Sequence, residues 1–111
     1  MKITTKTGLL ITPIIFCTSA AFAADAAANW NQHCASCHGK DGSGSTTMGK
    51  KLGVKDYRDA KVQGAFSDGE VESAIKNGVK EGSKEKMKSF KDKLSDADIK
   101  ALVAYVRSLK K

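Results

Sequence analysis

The chain has 111 residues, with 19 basic and 12 acidic side chains and a formal charge of +7 at neutral pH. That length fits one small domain. The moderate positive charge would suit an acidic partner, but the export signal at the start of the chain argues against a nucleic acid.

Residues 1–23 read as a secretory signal peptide, leaving 24–111 as the mature domain. Lys2 and Lys6 make the start basic, Leu9-Leu10-Ile11 and Ile14-Ile15-Phe16 form an apolar region broken by Pro13, and Ala21-Phe22-Ala23 is an A-x-A cleavage signature. The apolar run falls short of the roughly 20 residues of a membrane span. Cys17 follows the bulky Phe16, which does not suit a lipidation site, and it leaves with the signal. Removing this segment takes away two lysines and no acids, so the mature chain stays basic.

Asp25 to His33 is alanine-rich and reads as a short helix leading into Cys34. Trp30 precedes Cys34 by one helical turn, so both share a face, and Trp30 is expected to pack in the core and hold that turn.

Cys34-Ala35-Ser36-Cys37-His38 matches C-x-x-C-H, the pattern of c-type haem attachment. Two thiols on one turn can reach the two vinyl groups of a single haem, and His38 comes next as a candidate proximal iron ligand. C-x-x-C alone also serves dithiol redox chemistry and zinc. His38 and the export signal together favour haem. A Cys34–Cys37 disulfide is compatible with export, but it closes a very small ring and staples nothing distant. A domain this small is marginal without help, and a covalent haem would supply the missing apolar core.

Gly39 to Gly53 is rich in glycine, serine and threonine and reads as a long loop wrapped over a haem face, with Leu52 and Val54 as apolar plugs. Ser67-Asp68-Gly69-Glu70 fits a capping box. Val71, Ala74 and Ile75 then give one apolar face, and Asn77-Gly78 stops the helix. The stretch from Glu81 to Phe90 is polar and irregular apart from Met87 and Phe90, with Phe90 as its anchor. Ser95 and Asp98 cap a last helix whose Ile99, Leu102, Val103, Val106 and Leu109 recur at helical spacing. Tyr105 is shared between the core edge and solvent. No alternating strand pattern of useful length appears, nor any internal repeat.

An iron bound by His38 needs a sixth ligand or an open site. Met48, Met87 and His33 are the candidates. His33 adjoins Cys34 and is read as an exposed helix residue, and Met48 as filler of an apolar gap. Met87 sits in a segment with no helical face to bury it, and its soft thioether suits the iron.

With these residues in view, the chain resembles a bacterial class I, monohaem cytochrome c. The likeness rests on Cys34-x-x-Cys37-His38-Gly39, on Lys40-Asp41-Gly42-Ser43-Gly44, on Met87-x-x-Phe90 and on Leu102-Val103-Ala104-Tyr105-Val106. It implies an all-α fold of about three to four helices around one covalent haem c. It also implies thioether bonds at Cys34 and Cys37, iron ligation by His38 and Met87, and a meeting of Trp30 with Tyr105 where the first and last helices cross. The function implied is that of a soluble periplasmic one-electron carrier of a respiratory chain. It would be a monomer and not an enzyme, meeting redox proteins with acidic docking surfaces and neither nucleic acid nor, after signal cleavage, the membrane interior. The family often places a proline after the motif and another after the distal methionine; here the single proline is Pro13, and Lys88 comes after Met87. A carbonyl between Gly44 and Gly49 is therefore expected to orient the His38 imidazole.

Lys76, Lys80, Lys84, Lys86, Lys88, Lys91 and Lys93 gather around Met87 in sequence, either as a solvated surface or as a steering patch for an acidic partner. Two other functions remain open. A labile Met87 would give a ligand-binding or sensing haem protein, and a haem-free dithiol oxidoreductase would use Cys34 and Cys37. The dithiol option lacks the βαβ pattern that usually accompanies it, and zinc lacks a second ligand pair.

Overall fold

The computed structural model describes residues 7–15 and 25–111. Residues 7–15 form no helix or strand and stand in solvent, with Leu10 95% exposed. This apolar segment adds nothing to the core. The cleavage signature and Cys17 lie outside the described residues.

Helix α1 runs over residues 25–38, passing through a π-helical turn at Trp30–Cys34 into Ala35–His38. Trp30 and Cys34 are both buried, as one shared face requires. Gly39 ends the helix at φ 83°, a conformation that a side chain would oppose.

The segment from Gly39 to Gly53 is not one loop. It contains α2 (Thr47–Leu52), whose first turn is capped by Thr46 and which ends at Gly53 in the left-handed conformation. Met48 on this helix is 44% exposed and fills no gap. A second short helix, α3 (Ala60–Gly64), is capped by Asp59.

Both expected capping boxes form. Ser67 and Glu70 start α4 (Asp68–Asn77), and Ser95 and Asp98 start α5 (Asp96–Ser108). Ile99, Leu102, Val103 and Val106 of α5 are buried, while Leu109 lies just beyond the helix end. Helix α4 packs on α5, and Trp30 meets Tyr105 with ring centroids 5.4 Å apart.

The all-α expectation needs correction. About half the described residues are helical, and the polar stretch before Phe90 folds as an antiparallel hairpin of β1 (Val79–Glu81) and β2 (Lys84–Met87). It escapes a search for alternation because almost nothing on it is buried. Charge holds its register instead: Lys80 lies opposite Glu85 and Glu81 opposite Lys84, while Lys86 bridges to Glu81 at 3.2 Å. Its base is clamped to the end of α4. Phe90 N–H donates to the Ile75 carbonyl at 3.0 Å, Ser89 Oγ donates to the Lys76 carbonyl at 2.6 Å, and a Cβ at Gly78 would meet the Met87 carbonyl at 2.6 Å. Phe90, 3% exposed, is the anchor expected of it.

One buried polar side chain stitches the middle of the chain to α5. Gln63 is 4% exposed, and its amide donates to the carbonyls of Tyr57 (2.7 Å) and Val106 (2.8 Å). Its own oxygen accepts from Arg107, whose guanidinium also donates to the Phe66 carbonyl at 2.8 Å. Replacing Gln63 by leucine strands these groups in the interior. Gln63→Leu is expected to lower the unfolding free energy by about 2 kcal/mol, measured by urea denaturation of the haem-loaded protein.

Candidate functional site

A cavity of about 220 Å³ lies between α1, α4, α5 and the hairpin. Helix α1 contributes Trp30, Cys34 and His38, and α5 contributes Leu102 and Val106. The apolar face of α4, Val71, Ala74 and Ile75, forms another wall, and Met87 reaches in from the hairpin. Cys34, His38 and Met87 therefore open onto one space. Cys37 does not line it; it is half-buried beside it. Both Cys34 and Cys37 are free thiols, so no disulfide ties the motif.

The attachment turn is held from behind. The Trp30 indole N–H donates to the Gly39 carbonyl at 2.9 Å, Thr46 Oγ1 donates to the Cys37 carbonyl at 2.6 Å, and Gly44 N–H donates to the His38 carbonyl at 2.7 Å. The Cys37 and Gly44 carbonyls crowd Gly49, where a Cβ would collide with both. The loop after the motif thus grips the backbone of the turn and not a cavity wall: Leu52 and Val54 do not line the cavity.

The expected carbonyl for the imidazole is also missing. Among the described residues, His38 Nδ1 is buried without a hydrogen-bond partner. The ring is held by aromatic contacts instead, stacked on Tyr57 at 5.3 Å and tilted against Trp30 at 5.5 Å. Burial lowers the His38 pKa, so the imidazole stays neutral. A neutral imidazole that opens onto the cavity can offer a ring nitrogen to a metal. His33 is half-buried, with its ring edge on Phe90 at 5.6 Å, rather than exposed.

Tyr57 and Phe66 were not singled out by sequence. Both line the cavity, with rings 5.7 Å apart, and Arg107 lies over Phe66 at 4.7 Å. They come from a short polar stretch without helical or strand periodicity, so only the chain's path brings them here.

The electrostatics disfavour nucleophilic chemistry. Burial, with a smaller effect from Cys37, pushes the Cys34 thiol up to about 11. Cys34 and His38 are thus both neutral near pH 7, and no thiolate–imidazolium pair forms. This also counts against a dithiol oxidoreductase, whose attacking cysteine needs a depressed pKa. Among the described residues there is no group of three or more histidine, cysteine or acidic side chains that could hold a metal ion.

The cavity, its motif and its helical frame are those of a small c-type cytochrome, and comparison with known proteins agrees. Residues 21–106 match the family model described as cytochrome c oxidase, cbb3-type, subunit III, and the chain belongs to this family. It is 29% identical over 92 residues to the cbb3-type cytochrome c oxidase subunit CcoP of Azospirillum brasilense, spanning 83% of this chain but only 30% of that protein. Among solved structures it is similar to the KustC0563 c-type cytochrome, with 39% identity and a TM-score of 0.70, over 78% of this chain and 99% of that one. A tyrosine-to-phenylalanine variant of that cytochrome gives 40% identity and a TM-score of 0.65. The protein is a class I cytochrome c with covalently bound haem c and its iron, and it serves haem-based electron transfer. The apolar walls, the free thiols and the neutral imidazole opening onto the cavity fit that group.

Burial raises the Tyr57 pKa, with Cys34 adding to the effect. The unfolded chain then releases this proton first, so the contribution to stability is present below about pH 10, the ordinary tyrosine value, and is lost as pH rises beyond it. In a spectrophotometric titration of the haem-loaded protein, one tyrosine is expected to ionise above the ordinary range. Tyr57→Phe should remove that late phase.

Proposed function

We propose that this protein is a soluble periplasmic one-electron carrier, with haem held through Cys34 and Cys37 and iron ligated by His38 and Met87. The observation that carries this is the opening of Cys34, His38 and Met87, from opposite ends of the domain sequence, onto one apolar cavity. When bound, haem c supplies reversible one-electron chemistry at its iron.

The chain's own residues do the rest. Trp30, Thr46 and Gly44 hold the Cys34–His38 turn from behind, so a ligand at His38 meets a preset imidazole. Tyr57 and Trp30 fix the plane of that ring and keep water from its faces. Val71, Ala74, Ile75, Leu102 and Val106 make a dry wall, which limits solvent reorganisation when charge changes. The clamp at Gly78, Ser89 and Phe90 delivers Met87 from a hairpin otherwise exposed to solvent. Ligation of the iron by both His38 and Met87 would leave it no site for a substrate, which supports a carrier over an enzyme or a ligand sensor. Export to the periplasm is supported by the signal-like residues 1–23. Among the described residues, no helix is long and apolar enough to cross a membrane.

The oxidase subunit among its relatives supports a respiratory redox partner. Lys80, Lys84, Lys88, Lys91 and Lys93 are exposed on and beside the hairpin, while Lys76 and Lys86 are paired with Asp96 and Glu81. A basic surface next to the cavity suits encounter with an acidic docking face by a monomeric carrier.

Two measurements check this. The optical spectrum of the exported, haem-loaded protein is expected to be low-spin and unchanged by carbon monoxide when reduced, whereas Met87→Ala should bind carbon monoxide readily. Carbon monoxide binding by the unsubstituted protein would instead favour ligand sensing. Separately, the electron-transfer rate with an acidic redox protein should fall as ionic strength rises; a rate indifferent to salt would remove the lysine surface from the mechanism.

A further inference from the structure

On the reading that haem occupies this cavity, we infer that Glu70 tunes the reduction potential downward by holding an uncompensated negative charge on the cavity wall.

Glu70 is the single carboxylate among the residues that line the cavity, and no lysine or arginine lines it. Its carboxylate is also held in place. Glu70 Oε1 accepts from Ser67 N–H at 3.4 Å and from Ser67 Oγ at 3.2 Å, and Glu70 N–H donates back to Ser67 Oγ at 3.1 Å. The capping box thus does two things: it starts α4 and it fixes an anion at the cavity mouth.

The neighbouring acid shows the contrast. Asp68 Oδ1 accepts from Arg107 Nε at 2.7 Å, so its charge is balanced. Among the described residues, Glu70 has no cationic partner within salt-bridge distance. Oxidised iron carries one more positive charge than reduced iron. A carboxylate held at the cavity mouth stabilises the oxidised form; Glu70 is exposed, so solvent screens part of that attraction and the effect is modest. Glu70 therefore favours the ferric state, and the local charge around a haem is one of the levers that set its potential.

The test is a redox titration of the haem-loaded full chain, its Glu70→Gln variant and a Glu72→Gln control. Glutamine keeps the capping box and the shape while deleting the charge. Glu72 lies on the same helix but does not line the cavity, so its neutralisation makes the same change in net charge elsewhere. The expected result is a higher midpoint potential in Glu70→Gln, a smaller shift in Glu72→Gln, and superimposable optical spectra. No shift in Glu70→Gln, a shift equal to that of the control, or a shift accompanied by a changed axial-ligand spectrum would each overturn the inference. Carbon monoxide binding by the unsubstituted protein judges the His38/Met87 ligation independently, because the potential shift requires a bound haem and no particular sixth ligand.

Discussion

Trp30 is the side chain on which the rest of this fold leans. It is 2% exposed, and it touches three things at once. Its ring packs on Tyr105 of the last helix and on the His38 imidazole, and its indole N–H is satisfied by the carbonyl of Gly39. A large apolar body with one polar tip can join a helix crossing to a backbone turn in a way that no aliphatic residue can. With that crossing set, Leu102 and Val106 of α5 face the cavity, α4 packs on α5, and the hairpin hangs from the end of α4. Met87 thus reaches the cavity of His38 through a chain of contacts that starts at Trp30.

The interior is kept neutral while the exterior is heavily charged. Cys34, His38 and Tyr57 are all held in their uncharged forms by burial. The polar groups of the middle segment are met by Gln63 and Arg107, so the backbone can cross the domain without leaving carbonyls unpaired. Around the cavity, charge returns at the mouth, with Glu70, and on the adjoining lysine-rich hairpin. This partition suits one-electron chemistry, in which a fixed, dry surrounding keeps the structural response to a change of charge small.

Much of the site was legible in sequence because it is local. C-x-x-C-H is a contiguous motif, and the two Ser-x-x-Asp/Glu caps announce helices whose apolar positions come directly after them. The expectation that Trp30 meets Tyr105 came from family resemblance and is borne out. The hairpin was hidden because its strands are exposed and its register rests on charge pairs rather than on buried alternation. Helix α2 was hidden inside a glycine-rich stretch, though Thr46 and Gly53 marked both its ends. The carbonyl expected to hold the imidazole was wrongly assigned to the loop after the motif. That loop spends its hydrogen bonds on the backbone of the turn, and aromatic rings hold His38 instead.

By itself, the sequence determined the haem-binding motif, the caps and apolar faces of α4 and α5, and the candidate axial residues His38 and Met87. Short-range rules suffice for these: residue spacing on a turn, hydrogen bonds to the first N–H groups of a helix, and periodicity along a helical face. Only the tertiary structure decided that Tyr57 and Phe66 wall the cavity, that Gln63 and Arg107 tie them to α5, and that Glu70 stands at the cavity's exposed rim without a cationic partner among the described residues. Those outcomes depend on contacts between segments far apart in the chain, where burial and the need to satisfy buried polar groups select among arrangements that local pattern leaves equal.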